Sequence, residues 1–196
     1  MVFAGIIWGP AVKYHKEINE IFSKYSIPMF SIGLNLGDYY DQFVYDIYNE
    51  EDTPKWKIHK KVEHMKNSED KKVKVIFFDI DTSKTFYHER KKYSVFANVE
   101  HMKEEVRNTY KDKIDDYFFD IIFHLTDNQK ELDYTAEVLN RYLQLIEERD
   151  GTNNEVFKSL VQFYRSLGIP RISGVHTICE TNNNLSTYDD CEPQLI

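Results

Sequence analysis

The sequence predicts an α+β domain, and three observations carry that prediction. Four short apolar runs have the length and content of buried strands: FAGIIW (3 to 8), MFSIGLNL (29 to 36), VKVIFFDI (73 to 80) and FFDIIFHL (118 to 125). Between them, apolar residues return at helical spacing. The pieces run strand, helix, strand, two helices, strand, helix, strand, two helices. That order is ferredoxin-like: an antiparallel sheet with helices on one face, here with an extra C-terminal helix.

The first run ends at Gly9-Pro10, a turn signal. Val12, Ile18, Ile21, Phe22 and Tyr25 then mark a helix. The second strand alternates faces and stops at Gly37, and a helix over 38 to 48 opens with Asp38 in its first turn, where a carboxylate meets the positive end of the helix dipole. Thr53-Pro54 starts another helix with Ile58, Val62 and Met65 on one face, leading through NSEDKK into the strongest strand, 73 to 80. Residues 84 to 96 are mixed and polar, a loop or short hairpin. A helix follows over 98 to 110 with Asn98 as its cap. After the strand at 118 to 125, either Thr126 or Asp127 can cap a long helix whose apolar side is Leu132, Ala136, Leu139, Tyr142, Leu143 and Ile146. A last amphipathic helix spans 155 to 168 and ends on Gly168; beyond Pro170 the chain is polar and turn-rich. The expected organisation is one domain over 1–150, a helical extension over 151–170 and a polar tail over 171–196, without internal repeats.

Of the 196 residues, 41% are hydrophobic and 15% aromatic, which is globular composition. The formal net charge of −8 argues against broad binding to nucleic acid or anionic lipid, which needs a positive face. Lysines nevertheless cluster at KWKIHKK (55 to 61), KKVK (71 to 74) and ERKK (89 to 92). Three such clusters around one cleft would hold a polyphosphate; the competing reading is solvated lysines on helix and loop surfaces. Cys179 and Cys191 lie in the tail without ligand spacing. The opening apolar run is far shorter than the ~20 residues that span a bilayer and lacks a leader pattern, so no membrane association and a cytoplasmic location are expected.

FFDIIFHLTDNQKELDY (118 to 134) sets one histidine at the end of an apolar run and follows it with Thr-Asp-Asn. A neutral imidazole at a strand end is a competent nucleophile when a second group fixes its other nitrogen. Glu131, Asp133 and Glu137 on the following helix are all candidates for that group. The ordinary alternative is a strand-end histidine bonded to neighbouring backbone.

Five segments in order, IIWGPAV (6 to 12), YDIYNEED (45 to 52), IHKKVEHMKNSEDKKVKVIFFDI (58 to 80), MKEEVR (102 to 107) and IIFHLTDN (121 to 128), resemble the motif series of the nucleoside diphosphate kinases over about residues 3 to 148. The resemblance implies a phosphotransferase acting on nucleoside di- or triphosphates with Mg²⁺, through a phosphohistidine, in a family that tends to form homo-oligomers. It implies His124 as phosphoryl acceptor, Arg107 and Arg90 as phosphate-binding arginines, and Tyr48 or Trp56 as a base-stacking ring. Thr126 and Asp127 correspond to the Ser-Asp that shapes the turn after the histidine. The chain departs from the pattern at Trp8, where the family has a phosphate-binding lysine, at Ile121, where it has an asparagine, and at Leu125, where it has a glycine. These departures fit a divergent relative or a non-catalytic nucleotide-sensing or protein-binding module.

VIFFDIDTS (75 to 83) offers a different chemistry. Its Asp79-x-Asp81 resembles the opening motif of haloacid-dehalogenase-like phosphatases and the metal-diphosphate motif of glycosyltransferases, both of which bind a hard cation through oxygen. His59, His64, His88 and His101 have no metal-ligand spacing and read as solvent-facing.

Overall fold

The computed structural model describes residues 1–49, 53–66, 71–150, 155–167, 176–177 and 186–187. Its sheet is built from β1 (Val2–Ile7), β2 (Ser26–Asn35), β3 (Lys72–Ile80) and β6 (Phe123–Leu125) in the spatial order β2-β3-β1-β6, every neighbour antiparallel. Counted along the chain, the fourth sheet strand lies beside the first, then the third and second. This is the ferredoxin-like arrangement that the element order predicts. Consecutive residues of β3, from Val75 to Phe78, are all buried, so both faces of the central strands are covered.

The helices are α1 (Gly9–Val12), α2 (His15–Phe22), α3 (Tyr40–Ile47), α4 (Lys55–Lys66), α5 (Ala97–Tyr110), α6 (Gln129–Asp150) and α7 (Glu155–Ser166). Gly9-Pro10, expected as a turn, opens a single helical turn with proline at its start, where the missing N–H costs nothing. Gly37 adopts φ 53, a conformation that suits glycine, and this ends β2 and starts the short 3-10 turn before α3. The segment at 84 to 96 is a hairpin of β4 (Thr85–His88) and β5 (Tyr93–Phe96). A two-residue ladder pairs β7 (His176–Thr177) with β8 (Ser186–Thr187).

Directly paired residues share a face. Phe3, Gly5 and Ile7 therefore lie on one side with Phe78, Ile76 and Phe123. Phe22 of α2 packs on that side, its ring 4.8 Å from both Phe78 and Phe123. Gly5 is the space that makes this possible: a Cβ there would meet Phe78 at 2.7 Å and Phe123 at 2.8 Å.

Three local expectations are corrected. The strand expected over 118 to 125 is only Phe123–Leu125, because Phe119 and Asp120 take φ values of 35 and 63 and turn the chain just before it. Asn98 does not cap α5, which starts at Ala97 after Phe96; its side chain donates instead to the carbonyl of Asp81. Neither Thr126 nor Asp127 caps α6. Asn128 does, its Oδ1 accepting the Glu131 N–H at 2.9 Å while the Glu131 carboxylate reaches back to the Asp127 N–H and the Asn128 amide.

The chain forms two compact units, Met1–Val138 and Leu139–Ile196, and the division between them falls inside α6. Within the second unit Leu160 and Tyr164, one turn apart on α7, are buried. Gly168, both cysteines and most of the expected tail lie outside the described residues.

Candidate functional site

His124 pairs with Ile6 across the β6–β1 ladder and so projects to the face opposite Phe123 and Leu125. It is 7% exposed. The Tyr48 ring meets the imidazole edge-on at 5.2 Å, and the ammonium of Lys61 lies 3.9 Å from the centre of that tyrosine ring. Burial pushes the imidazole well below its ordinary pKa, and the nearby Lys103 and Lys61 cations push the same way. The ring is thus neutral at neutral pH, with one nitrogen carrying a lone pair.

His124 and Tyr48 line a cleft of about 700 Å³. Lys57 and Lys61 enter it from α4, Arg90 and Lys91 from the β4–β5 hairpin, Lys103 and Arg107 from α5, and Lys130 from the first turn of α6. Against these seven cations stand three carboxylates, Asp120, Asp127 and Glu131. A chain with a net charge of −8 therefore concentrates positive charge around the buried His124. Such focusing in a low-dielectric cleft attracts polyanions.

The cations are held by a defined network. Lys91 Nζ lies 2.9 Å from Glu100 Oε2 and 2.9 Å from Asp127 Oδ2, and Lys103 pairs with the other oxygen of Asp127. Glu100 also faces His88 Nε2 at 3.6 Å. Burial alone would raise the Asp127 carboxyl, but the Lys103 and Lys91 ammoniums outweigh it and hold the group at about 2. Burial likewise works against the charge of Lys91, and Asp127 and Glu100 overcome it, keeping this lysine above its usual value. At Lys103 burial wins and pulls the ammonium below the usual lysine value.

Arg107 Nε lies 3.0 Å from Asp120 Oδ1, yet its N–H is not directed at a hydrogen-bond acceptor among the described residues. The contact is an ion pair in which the Nε–H makes no hydrogen bond among the described residues. Arg90 is exposed at the cleft and makes no hydrogen bond or ion pair among the described residues. Phe119, between Arg107 and His124 in the chain, is 47% exposed in the cleft wall, with Lys57 Nζ 4.3 Å from its ring centre. Two consecutive left-handed residues at 119 and 120 cost about 1–3 kcal/mol each, strain of the kind that collects at functional sites.

Of the residues singled out in the sequence, the cleft gathers His124, Arg107, Arg90, Tyr48 and Asp127. Tyr48 is 3% exposed, with Lys61 over its ring and Trp8 5.9 Å away, so it supports His124 and offers no open face to a base. Trp56 is 58% exposed and is not part of the cleft wall. Thr126 is fully buried: its N–H donates to the Ala4 carbonyl and its hydroxyl accepts from the Ala4 N–H, extending the strand pair. Trp8 is a core residue against Phe43 and Tyr48. Among the three acids considered as partners of His124, Glu131 is engaged in the helix cap and Asp133 accepts from Gln129.

The Asp79–Asp81 pair lies outside the cleft. Asp79 binds the amine of Met1 at 2.8 Å, and both oxygens of Asp81 accept from Ser83. His59 bonds Tyr45, His64 stacks on Phe118, and His101 stacks on Phe86. Among the described residues no group of three or more His, Cys, Asp or Glu is placed to hold a metal ion, and no helix is long and apolar enough to cross a membrane.

The lysine runs at 55 to 61 and 89 to 92 meet in the cleft, whereas Lys72 and Lys74 of the third run lie along β3. The sequence reading missed Lys103 and named Lys61 only as a member of the run at 55 to 61; the two are 5% and 4% exposed. The available signal was spacing: Lys57 with Lys61, and Lys103 with Arg107, are i, i+4 pairs that share a helix face. No family model matches the chain, and no curated protein matches it in sequence.

Proposed function

We propose that the cleft binds a nucleoside di- or triphosphate through its phosphates and that His124 accepts the terminal phosphoryl group and passes it on. The observation that carries this reading is the seven-to-three excess of cations around a neutral, buried imidazole in an acidic chain. A lone pair on the imidazole attacks the terminal phosphorus; the N–P bond forms as the bridging P–O bond breaks and its electrons go to the leaving phosphate. In the return step an acceptor phosphate oxygen attacks, the N–P bond breaks and the imidazole is restored neutral. Arg107, Arg90 and Lys91 stabilise the charge spread over the transferred group.

Mg²⁺ belongs to this proposal as an ion carried on the nucleotide's own phosphates, where it would neutralise charge. The cleft carboxylates do not fit a protein cage for it: Asp127 is clamped by two lysines, Asp120 is paired with Arg107 and Glu131 is engaged in a cap. A cytoplasmic location and assembly into homo-oligomers form part of the same proposal.

A second reading, binding without transfer, draws on the 7% exposure of His124 and its packing against Tyr48. Incubation with γ-labelled ATP and Mg²⁺ separates the two. Acid-labile, base-stable label on the wild type and none on His124→Asn establishes transfer. Binding of ATP without label leaves a nucleotide-binding domain, and absence of binding overturns both.

A further inference from the structure

A second cavity of about 600 Å³ adjoins the cationic cleft and shares four wall residues with it: Arg90, Arg107, Phe119 and Asp120. Its chemistry differs. His124 and the five lysines of the cleft are absent from its wall, and Glu104, Asn108 and Tyr117 take their place. The cleft is cationic, whereas the adjoining cavity mixes acids, bases, an amide and aromatic rings. Glu104 is exposed there and makes no hydrogen bond or ion pair among the described residues. At the junction stand the Arg107 Nε, without a hydrogen-bond acceptor among the described residues, and the strained, exposed Phe119.

We infer that this second cavity receives the base and sugar of the nucleotide whose phosphates lie in the cationic cleft. The inference rests on the phosphate-binding reading and adds the place of the uncharged part of the ligand. A polyphosphate tail needs cations and nothing else; a base needs a flat apolar surface and fixed hydrogen-bonding groups beside it. Phe119 supplies the surface and Glu104 an acceptor for the N–H groups of an amino-bearing base. Arg90 and Arg107 sit where tail and sugar join, and a guanidinium fork suits a phosphate there.

The test compares ATP with inorganic tripolyphosphate by calorimetry, on the wild type, Phe119→Ala and Glu104→Gln. The wild type binds ATP about tenfold more tightly than tripolyphosphate, reflecting one stacked base. Phe119→Ala and Glu104→Gln each shrink that ratio; in Glu104→Gln, whose residue lies outside the cationic cleft, tripolyphosphate binding stays within about twofold and shows that this variant is folded. Equal binding of ATP and tripolyphosphate by the wild type overturns the second cavity as a base site while leaving the phosphate cleft standing. An unchanged ratio in both variants does the same. Failure of both ligands to bind overturns the phosphate reading, and this inference with it.

Discussion

The ammonium of Lys91, on the hairpin, lies 2.9 Å from the carboxylate of Asp127, on the turn that follows the histidine strand. Lys103 of α5 pairs with the same carboxylate. One acid thus ties three separately built pieces of the cleft together and keeps two cations charged and close. Without it they would repel each other, and the hairpin would lose its anchor to the site.

Asp127→Asn removes that anchor. Breaking a largely buried ion pair costs about 3 kcal/mol, so the variant's urea midpoint falls accordingly. The pH dependence has a definite sign. The carboxyl is held at about 2 against an ordinary 3.8, so its contribution is complete above pH 4 and is lost as the pH falls toward 2. That contribution is about 2 kcal/mol, and the variant lacks this part of the acid limb. Added tripolyphosphate stabilises the variant more than the wild type, since it restores an anion to Lys91 and Lys103. Equal stabilisation of both proteins would show that the lysines do not face the ligand.

The His124 imidazole carries a second pH signature. Its folded pKa lies well below 6.5, so the unfolded chain takes up a proton on acidification before the folded chain does. Stability is complete above pH 6.5 and declines as the pH falls below it toward the folded value. Urea unfolding at pH 7.5, 6.5 and 5.5 should show this decline in the wild type and a shallower one in His124→Asn. Parallel declines would mean that His124 titrates normally and is not held neutral by burial.

The fold was readable because period and order are local properties. Val75 to Phe78 announce a strand wherever they sit, and the turn signals at Gly37 and Thr53-Pro54 punctuate the helices correctly. The strand at 118 to 125 was overcalled because an apolar run does not reveal φ, and the left-handed pair at Phe119 and Asp120 decides where β6 begins. His124 and Arg107 were visible as motif residues. Lys103 was not, because a lysine on a helix ordinarily reads as solvated, and Lys61 stood out only as one member of a lysine run. Only the tertiary meeting of α4, α5 and β6 buries them beside one imidazole. Tyr48 shows the converse: it was singled out as a stacking surface, and its burial beneath Lys61 was not legible in the chain.

Gly5→Ala tests how the sheet holds His124 in place. The added methyl would lie under 3 Å from the rings of Phe78 and Phe123, both fully buried and both packed on Phe22. Both rings would have to shift within a fully buried layer, so the variant loses about 1–3 kcal/mol in urea unfolding. Because Gly5 pairs directly with Leu125, strain there reaches β6 one residue from the histidine. A stability equal to wild type would show that the aromatic layer has slack that the packing does not suggest.

Arg107 separates charge from geometry. Its ion pair with Asp120 is partly exposed, so removing it changes fold stability by less than about 1 kcal/mol, and urea unfolding of Arg107→Ala should be close to wild type. Its guanidinium fork has no hydrogen-bond acceptor at Nε among the described residues, and a phosphate oxygen would supply one. A charge-assisted hydrogen bond contributes about 1.5–3 kcal/mol, so Arg107→Ala weakens tripolyphosphate binding about ten- to hundredfold. Arg107→Lys keeps the charge and loses the planar fork, and recovers only part of the affinity. Raising the salt concentration reduces the gap between wild type and Arg107→Ala by screening the charge component while leaving the hydrogen-bond component. Full recovery by lysine would mean that Arg107 acts as a point charge, and unchanged affinity in the alanine variant would remove it from the phosphate site.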